Sequence, residues 1–165
     1  MNILQITKDN LPQYANTSVA FDGHIEIEAN LGIVYFTSLQ AKGHIFTKAG
    51  TGIKAGEGIE AGTGIEAGEG IKAGCGIEAG EGIEAGWGIK AGWGIKAGWG
   101  IEAGWGIEAG WGIEAGTTIS AKLRIFAGLI IWRKPKPEEL SITCKRLSGG
   151  EVAYGNLIEI SKESK

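Results

Sequence analysis

The residues best equipped for chemistry are few: two histidines, His24 and His44, and two cysteines, Cys75 and Cys144. An imidazole can serve as a general base or metal ligand near neutral pH, and a thiolate as a nucleophile or soft ligand. Either role needs partners at close, characteristic spacing. The cysteines lie far apart with no metal or redox pattern around them, which points to structural thiols in a reduced protein. Both histidines stand in the same Gly-His-Ile setting, Gly23-His24-Ile25 and Gly43-His44-Ile45, as equivalent positions in two turns of a repeating structure would. Glutamates are plentiful, but they recur at regular intervals and read as a solvated face, not a tuned acid/base pair. The glycines recur every few residues and never join one strand to one helix as a phosphate loop does. The expected inventory is therefore no catalytic residue, no metal ligand and no cofactor.

A second series is aromatic. Trp87, Trp93, Trp99, Trp105 and Trp111 follow one another at six-residue intervals. The same six-residue step organises the middle of the chain. Ile stands at 53, 59, 65 and every sixth position to 119, with Ala two residues later each time. Gly occupies most positions on either side of one variable residue, giving G-I-(K/E)-A-G-x. In a looser form the phase reaches Thr47-Lys48-Ala49-Gly50 and Ile125-Phe126-Ala127-Gly128.

A helix cannot use this pattern. At about 100° per residue, a six-residue step scatters successive Ile around the axis. Two Gly per repeat would also cost a helix about 2 kcal/mol relative to Ala. In a strand, Ile and Ala at i and i+2 share the inner face, and the Lys or Glu between them faces water. Gly-x-Gly then supplies a corner, where Gly can take positive φ without penalty. Strand and corner in alternation make an all-β, parallel β-solenoid whose rungs pair about 4.8 Å apart, with caps needed at both ends.

The organisation expected is an N-terminal cap with irregular opening rungs (1–46), a regular hexapeptide-repeat solenoid (47–128) and a C-terminal β cap (129–165). Within the flanks, 10–18 reads as a loop around Pro12, and Leu129-Ile130-Ile131-Trp132 as a buried strand. A charged, Pro-containing loop follows at 133–139, then two strands near 140–147 and 151–160 that cover the last rung.

The repeat resembles the hexapeptide-repeat, left-handed parallel β-helix family over roughly half of the chain. That resemblance implies three-sided rungs of eighteen residues. Because many members are acyltransferases, it also implies a catalytic His at a subunit interface beside a cofactor channel. The family's motif places the large aliphatic residue just before the corner, whereas here Ile comes first and Ala precedes the corner Gly. A two-sided rung of twelve residues is the rival, and charge favours it. Stepping by twelve, 48-60-72-84-96-108 reads Lys, Glu, Lys, Glu, Lys, Glu, and 54-66-78-90-102-114 reads Lys, Glu, Glu, Lys, Glu, Glu. Eighteen-residue stepping instead stacks Lys54, Lys72 and Lys90, and like charges on adjacent strands repel. The reading taken is the twelve-residue rung, with the eighteen-residue rung as its alternative.

The variable corner residue carries the functional expectation. Soluble chains rarely display large apolar patches, and Trp is a favoured interface anchor. Twelve-residue rungs would align Trp87, Trp99 and Trp111 on one edge and Trp93 and Trp105 on the other. They would also align Glu57, Glu69 and Glu81 as an acidic column able to imitate phosphates. These eight residues are the expected binding surface for a protein partner or for self-association.

The charge balance, 16 basic against 19 acidic residues for a net −3, argues against direct nucleic-acid binding. Met1–Asp9 shows no secretory pattern and no apolar run is long enough to span a membrane, so a cytoplasmic protein is expected. The leading expectation is a non-enzymatic binding module, in its sharpest form a phage or mobile-element protein that blocks a host nucleic-acid machine. The alternatives are a structural or self-assembling fibre element, an acyltransferase-like enzyme and an ice-binding protein. The last is disfavoured because the outward strand position is Lys or Glu, not Thr.

Overall fold

A computed structural model describes residues 2–130 and 132–160. The chain is a parallel β-solenoid. Among the described residues its strands form three parallel sheets of eight, eight and seven strands. Face 1 runs from Asn2–Ile6 to Arg146–Leu147, face 2 from Ser18–Phe21 to Asn156–Glu159, and face 3 from Gly32–Phe36 to Glu151–Tyr154.

Within the repeat, the three-residue strands Ile-(Lys/Glu)-Ala bury their ends and, apart from the half-buried Glu108, expose the middle residue, as at Ile71–Ala73. Each strand pairs with those eighteen residues away: Ile71 lies between Ile53 and Ile89, and Ile83 between Ile65 and Ile101. The rung is thus three-sided, and the twelve-residue expectation fails. Its support was charge alternation on an outward position bathed in water, where a pair contributes only about 0–1 kcal/mol. The core outweighs that. Every Ile and Ala of the repeat from 53 to 121 is essentially buried, so each rung adds three Ile and three Ala to one closed core.

The repeat glycines make no use of the left-handed region open to them. Positive φ among glycines is confined to Gly32, Gly50, Gly128, Gly150 and Gly155, all outside the uniform hexads. What the repeat needs is space. A Cβ on Gly80, which follows Ala79, would sit 2.1 Å from the carbonyl oxygen of Gly62 one rung below. The Gly before Ile in the same hexad is roomier: a Cβ on Gly82 would lie 3.6 Å from the Gly100 oxygen.

The opening rungs are longer. Ile25 pairs with Ile45 and Ile45 with Ile65, a twenty-residue turn. The extra residues form local structure, including Asn30 at φ 60° and the buried Thr51, whose Oγ1 donates to the Glu28 carbonyl at 2.7 Å. The segment read as a loop around Pro12 contains a short helix, Leu11–Tyr14, whose Leu11 and Tyr14 pack against the core. Near the other end, residues 129, 130 and 132 are not a strand. Ile130 is buried, Leu129 and Trp132 are exposed, and Ile131 lies outside the described residues. The loop beyond them is anchored where the Arg133 guanidinium donates to both carboxylate oxygens of Glu139, at 2.8 and 2.5 Å. With the Lys136 N–H also donating to it, that pairing holds the Glu139 carboxyl near a pKa of about 2. The later strands continue the sheets as further rungs: Ile142 pairs with Ile113, and Leu157 with Ile142.

Candidate binding faces and edges

The three-sided rung decides where each corner residue goes. Three edges result, each tied rung to rung by backbone hydrogen bonds. One carries Glu57, Cys75, Trp93 and Trp111, and the second Thr63, Glu81, Trp99 and Thr117. The third carries Glu69, Trp87, Trp105 and Leu123.

The expected Trp ladders are therefore regrouped. Trp87 stacks on Trp105 with ring centroids 5.3 Å apart and planes 4° from parallel. Trp93 stacks on Trp111 at 5.1 Å and 5°. Trp99 stands alone between Glu81 and Thr117 and is the most exposed of the five at 62%. The expected acidic column dissolves, because Glu57, Glu69 and Glu81 fall on three different edges. The cause is the same in both cases: a twelve-residue step advances two sides of a three-sided rung and lands on another edge.

The outward strand positions sort by charge. On face 1, Glu66, Glu84 and Glu102 stack directly on one another. Burial, then the charges of Glu66 and Glu102, push the Glu84 carboxyl above its ordinary pKa. On face 3, Lys54, Lys72 and Lys90 stack in the same way, and Lys54 lies over the Tyr35 ring at 4.9 Å. Face 2 is mixed, with Glu60, Glu78, Lys96 and Glu114, and Lys96 bridges to Glu114 at 3.7 Å. Lys90 is paired with Glu108. None of Glu66, Glu84, Glu102, Lys54 and Lys72 has an ion-pair partner among the described residues. The acidic row was legible only by stepping the sequence by eighteen.

Each face also carries a shallow groove. Its floor is the column of Gly before Ile, and its walls are the corner column and the charged column. On face 3 the walls are Trp87 and Trp105 against Lys72 and Lys90. On face 1 they are Glu81 and Trp99 against Glu66, Glu84 and Glu102.

The rings of His24 and His44, one rung apart, have centroids 4.0 Å apart and planes tilted by 32°, and the His44 backbone N–H donates to His24 Nδ1 at 3.1 Å. Partial burial and the neighbouring His44 lower the His24 pKa. Cys75 is half-buried on its edge, while Cys144 is buried and its thiol pKa is raised by that burial and by Glu159. Among the described residues no group of three or more His, Cys, Asp or Glu is placed to hold a metal ion. No helix among them is long and apolar enough to cross a membrane.

Comparison with protein-family models, curated proteins and solved structures finds no match to this chain. The solenoid fold rests on the strand pairing alone.

Proposed function

We propose that the protein is a non-enzymatic binding module that engages a macromolecular partner through its Trp edges and charge-sorted faces. The observation that carries this reading is the exposure of five consecutive corner Trp outside a core that Ile and Ala already fill. Thr and Glu occupy the same corners in other rungs, so folding does not call for Trp there. Large flat side chains beside unpaired charge have the composition of interface hot spots.

The test replaces Trp87, Trp93, Trp99, Trp105 and Trp111 together with Thr, and compares partners captured from lysate with those of the parent chain. Capture of a specific partner by the parent, lost in the variant, supports the reading. Identical capture by both chains defeats it.

A sharper reading is favoured by the acidic row. Glu66, Glu84 and Glu102, with Glu81 across the groove, present closely spaced unpaired carboxylates that could occupy a cationic channel built for phosphates. In that form the protein blocks a nucleic-acid machine without touching nucleic acid, as a phage or mobile-element product would. Glu66→Gln/Glu84→Gln/Glu102→Gln should abolish inhibition or binding of such a machine while leaving the Trp edges intact.

A further inference from the structure

The two ends of the solenoid are built differently. At the N-terminal end, Ile6, Val19, Val34 and Phe36 in the first strands of the three faces are buried, and the helix Leu11–Tyr14 packs Leu11 and Tyr14 against the core. At the C-terminal end, the last strand of each face adds one residue to the core stack. Leu147 lies over Ile119, Val152 over Ile125 and Leu157 over Ile142. The three Ile beneath are fully buried, whereas Leu147 and Val152 are half-buried and Leu157 is 40% exposed. Tyr154, Ile158 and Ile160 beside them are exposed as well. This is a core layer with nothing above it among the described residues.

We propose that this end is an interface on which a second copy of the chain docks tail to tail. Three parallel sheets terminate here with no further strand beyond them among the described residues; the outward Leu147 N–H donates to the Glu159 carboxylate at 3.1 Å, and the rest of this apolar strand edge is a template for further pairing. A second copy presents the same three-sided outline, the same terminal strands and the same apolar layer. Contact about a two-fold axis is isologous and closes at two copies. Head-to-tail stacking into a fibre lacks a matching seat, because the first layer at the other end is already covered. The rim carries both signs, Lys145 and Arg146 with Glu151 and Glu159, so net like-charge repulsion does not oppose self-contact. The end of one slender solenoid is smaller than a standard interface of roughly 800 Å² per partner, so dissociation in the micromolar range is expected.

The experiment is sedimentation velocity on the whole chain from about 1 to 100 µM, a range set by that expected affinity. The parent chain should pass from monomer to dimer and stop there. Ile158→Glu/Ile160→Glu, at two solvent-facing positions, should stay monomeric with an unchanged circular dichroism spectrum. As a check independent of that variant's folding, Ile158→Cys in a Cys75→Ser background should be joined into dimers by a bifunctional maleimide, while Ile3→Cys at the opposite end should not. A parent chain that is monomeric throughout, a dimer unaffected by the two Glu, or a chain that grows into fibres overturns the proposal. The five-Trp variant separates it from the partner-binding reading. That variant should still dimerise, and loss of its dimer would place self-association at the Trp edges and defeat the end-on interface.

Discussion

The indole rings of Trp87 and Trp105, eighteen residues apart in sequence, lie face to face with centroids 5.3 Å apart and planes 4° from parallel. The stack follows from the backbone. The Trp105 N–H donates to the Trp87 carbonyl at 3.1 Å, so one rung step sets the ring separation. Trp93 and Trp111 repeat the arrangement on another edge, and Trp99 has no aromatic neighbour above or below it.

Stacked indoles exclude water from their facing sides. Trp87→Thr should remove one pair and cost about 0.5–1.5 kcal/mol of stability beyond the lost burial, read from denaturant midpoints. Trp99→Thr, which breaks no aromatic pair, should lack that extra cost. Equal effects at the two positions would contradict the three-sided register.

The two glycines that flank Glu81 should tolerate substitution unequally. Gly80→Ala forces a Cβ to within 2.1 Å of the Gly62 oxygen, so the rungs must separate, at a cost of about 2 kcal/mol or more. Gly82→Ala meets its nearest atom at 3.6 Å at a backbone angle that Ala can adopt. It should be neutral or should stabilise by up to about 1 kcal/mol by restricting the unfolded chain. Denaturant midpoints of the two variants, measured side by side, decide the matter.

Acidification should loosen the N-terminal rungs. The folded state lowers the His24 pKa below its ordinary 6.5, so the unfolded chain binds the proton more readily. The stability held by neutral His24 is complete above pH 6.5 and is lost as pH falls below it. Protonation would also take the Nδ1 lone pair that accepts the His44 N–H. The protection factor of the His44 N–H, its exchange corrected for the intrinsic fall of rate with pH, should drop between about pH 7 and 5.5, and a His24→Asn variant should lack that step.

The acidic row should behave in the opposite sense. The Glu84 pKa is raised, so the folded state favours the protonated form and ionisation weighs against it at neutral pH. Glu84→Gln should therefore stabilise the chain by about 0.2–1 kcal/mol at pH 7 and low salt. The gain should shrink as pH falls through the raised pKa, be lost below about pH 4.5, and shrink in high salt, as thermal melts across pH and ionic strength would show.

Much of the architecture was readable from the residues. Ile, Ala and an outward Lys or Glu in a six-residue period exclude a helix and require short strands with one buried face, and every such strand from Ile53 to Ala121 is present. That local pattern cannot count sides, because a hexad looks the same in a rung of two or three. Closure is decided by packing across the core, where three Ile and three Ala per rung fill one interior. The outward charges misled because Lys54, Lys72 and Lys90 can be stacked at small cost in water. Every inter-rung neighbour changed with the register. Trp87 gained Trp105 in place of Trp99, and Glu57, Glu69 and Glu81 went to separate edges while Glu66, Glu84 and Glu102 came together. Which residues face in, face out or turn a corner follows from the sequence through strand periodicity. Which of them meet, and so what surface a partner would encounter, is set only when the tertiary structure chooses eighteen residues per turn.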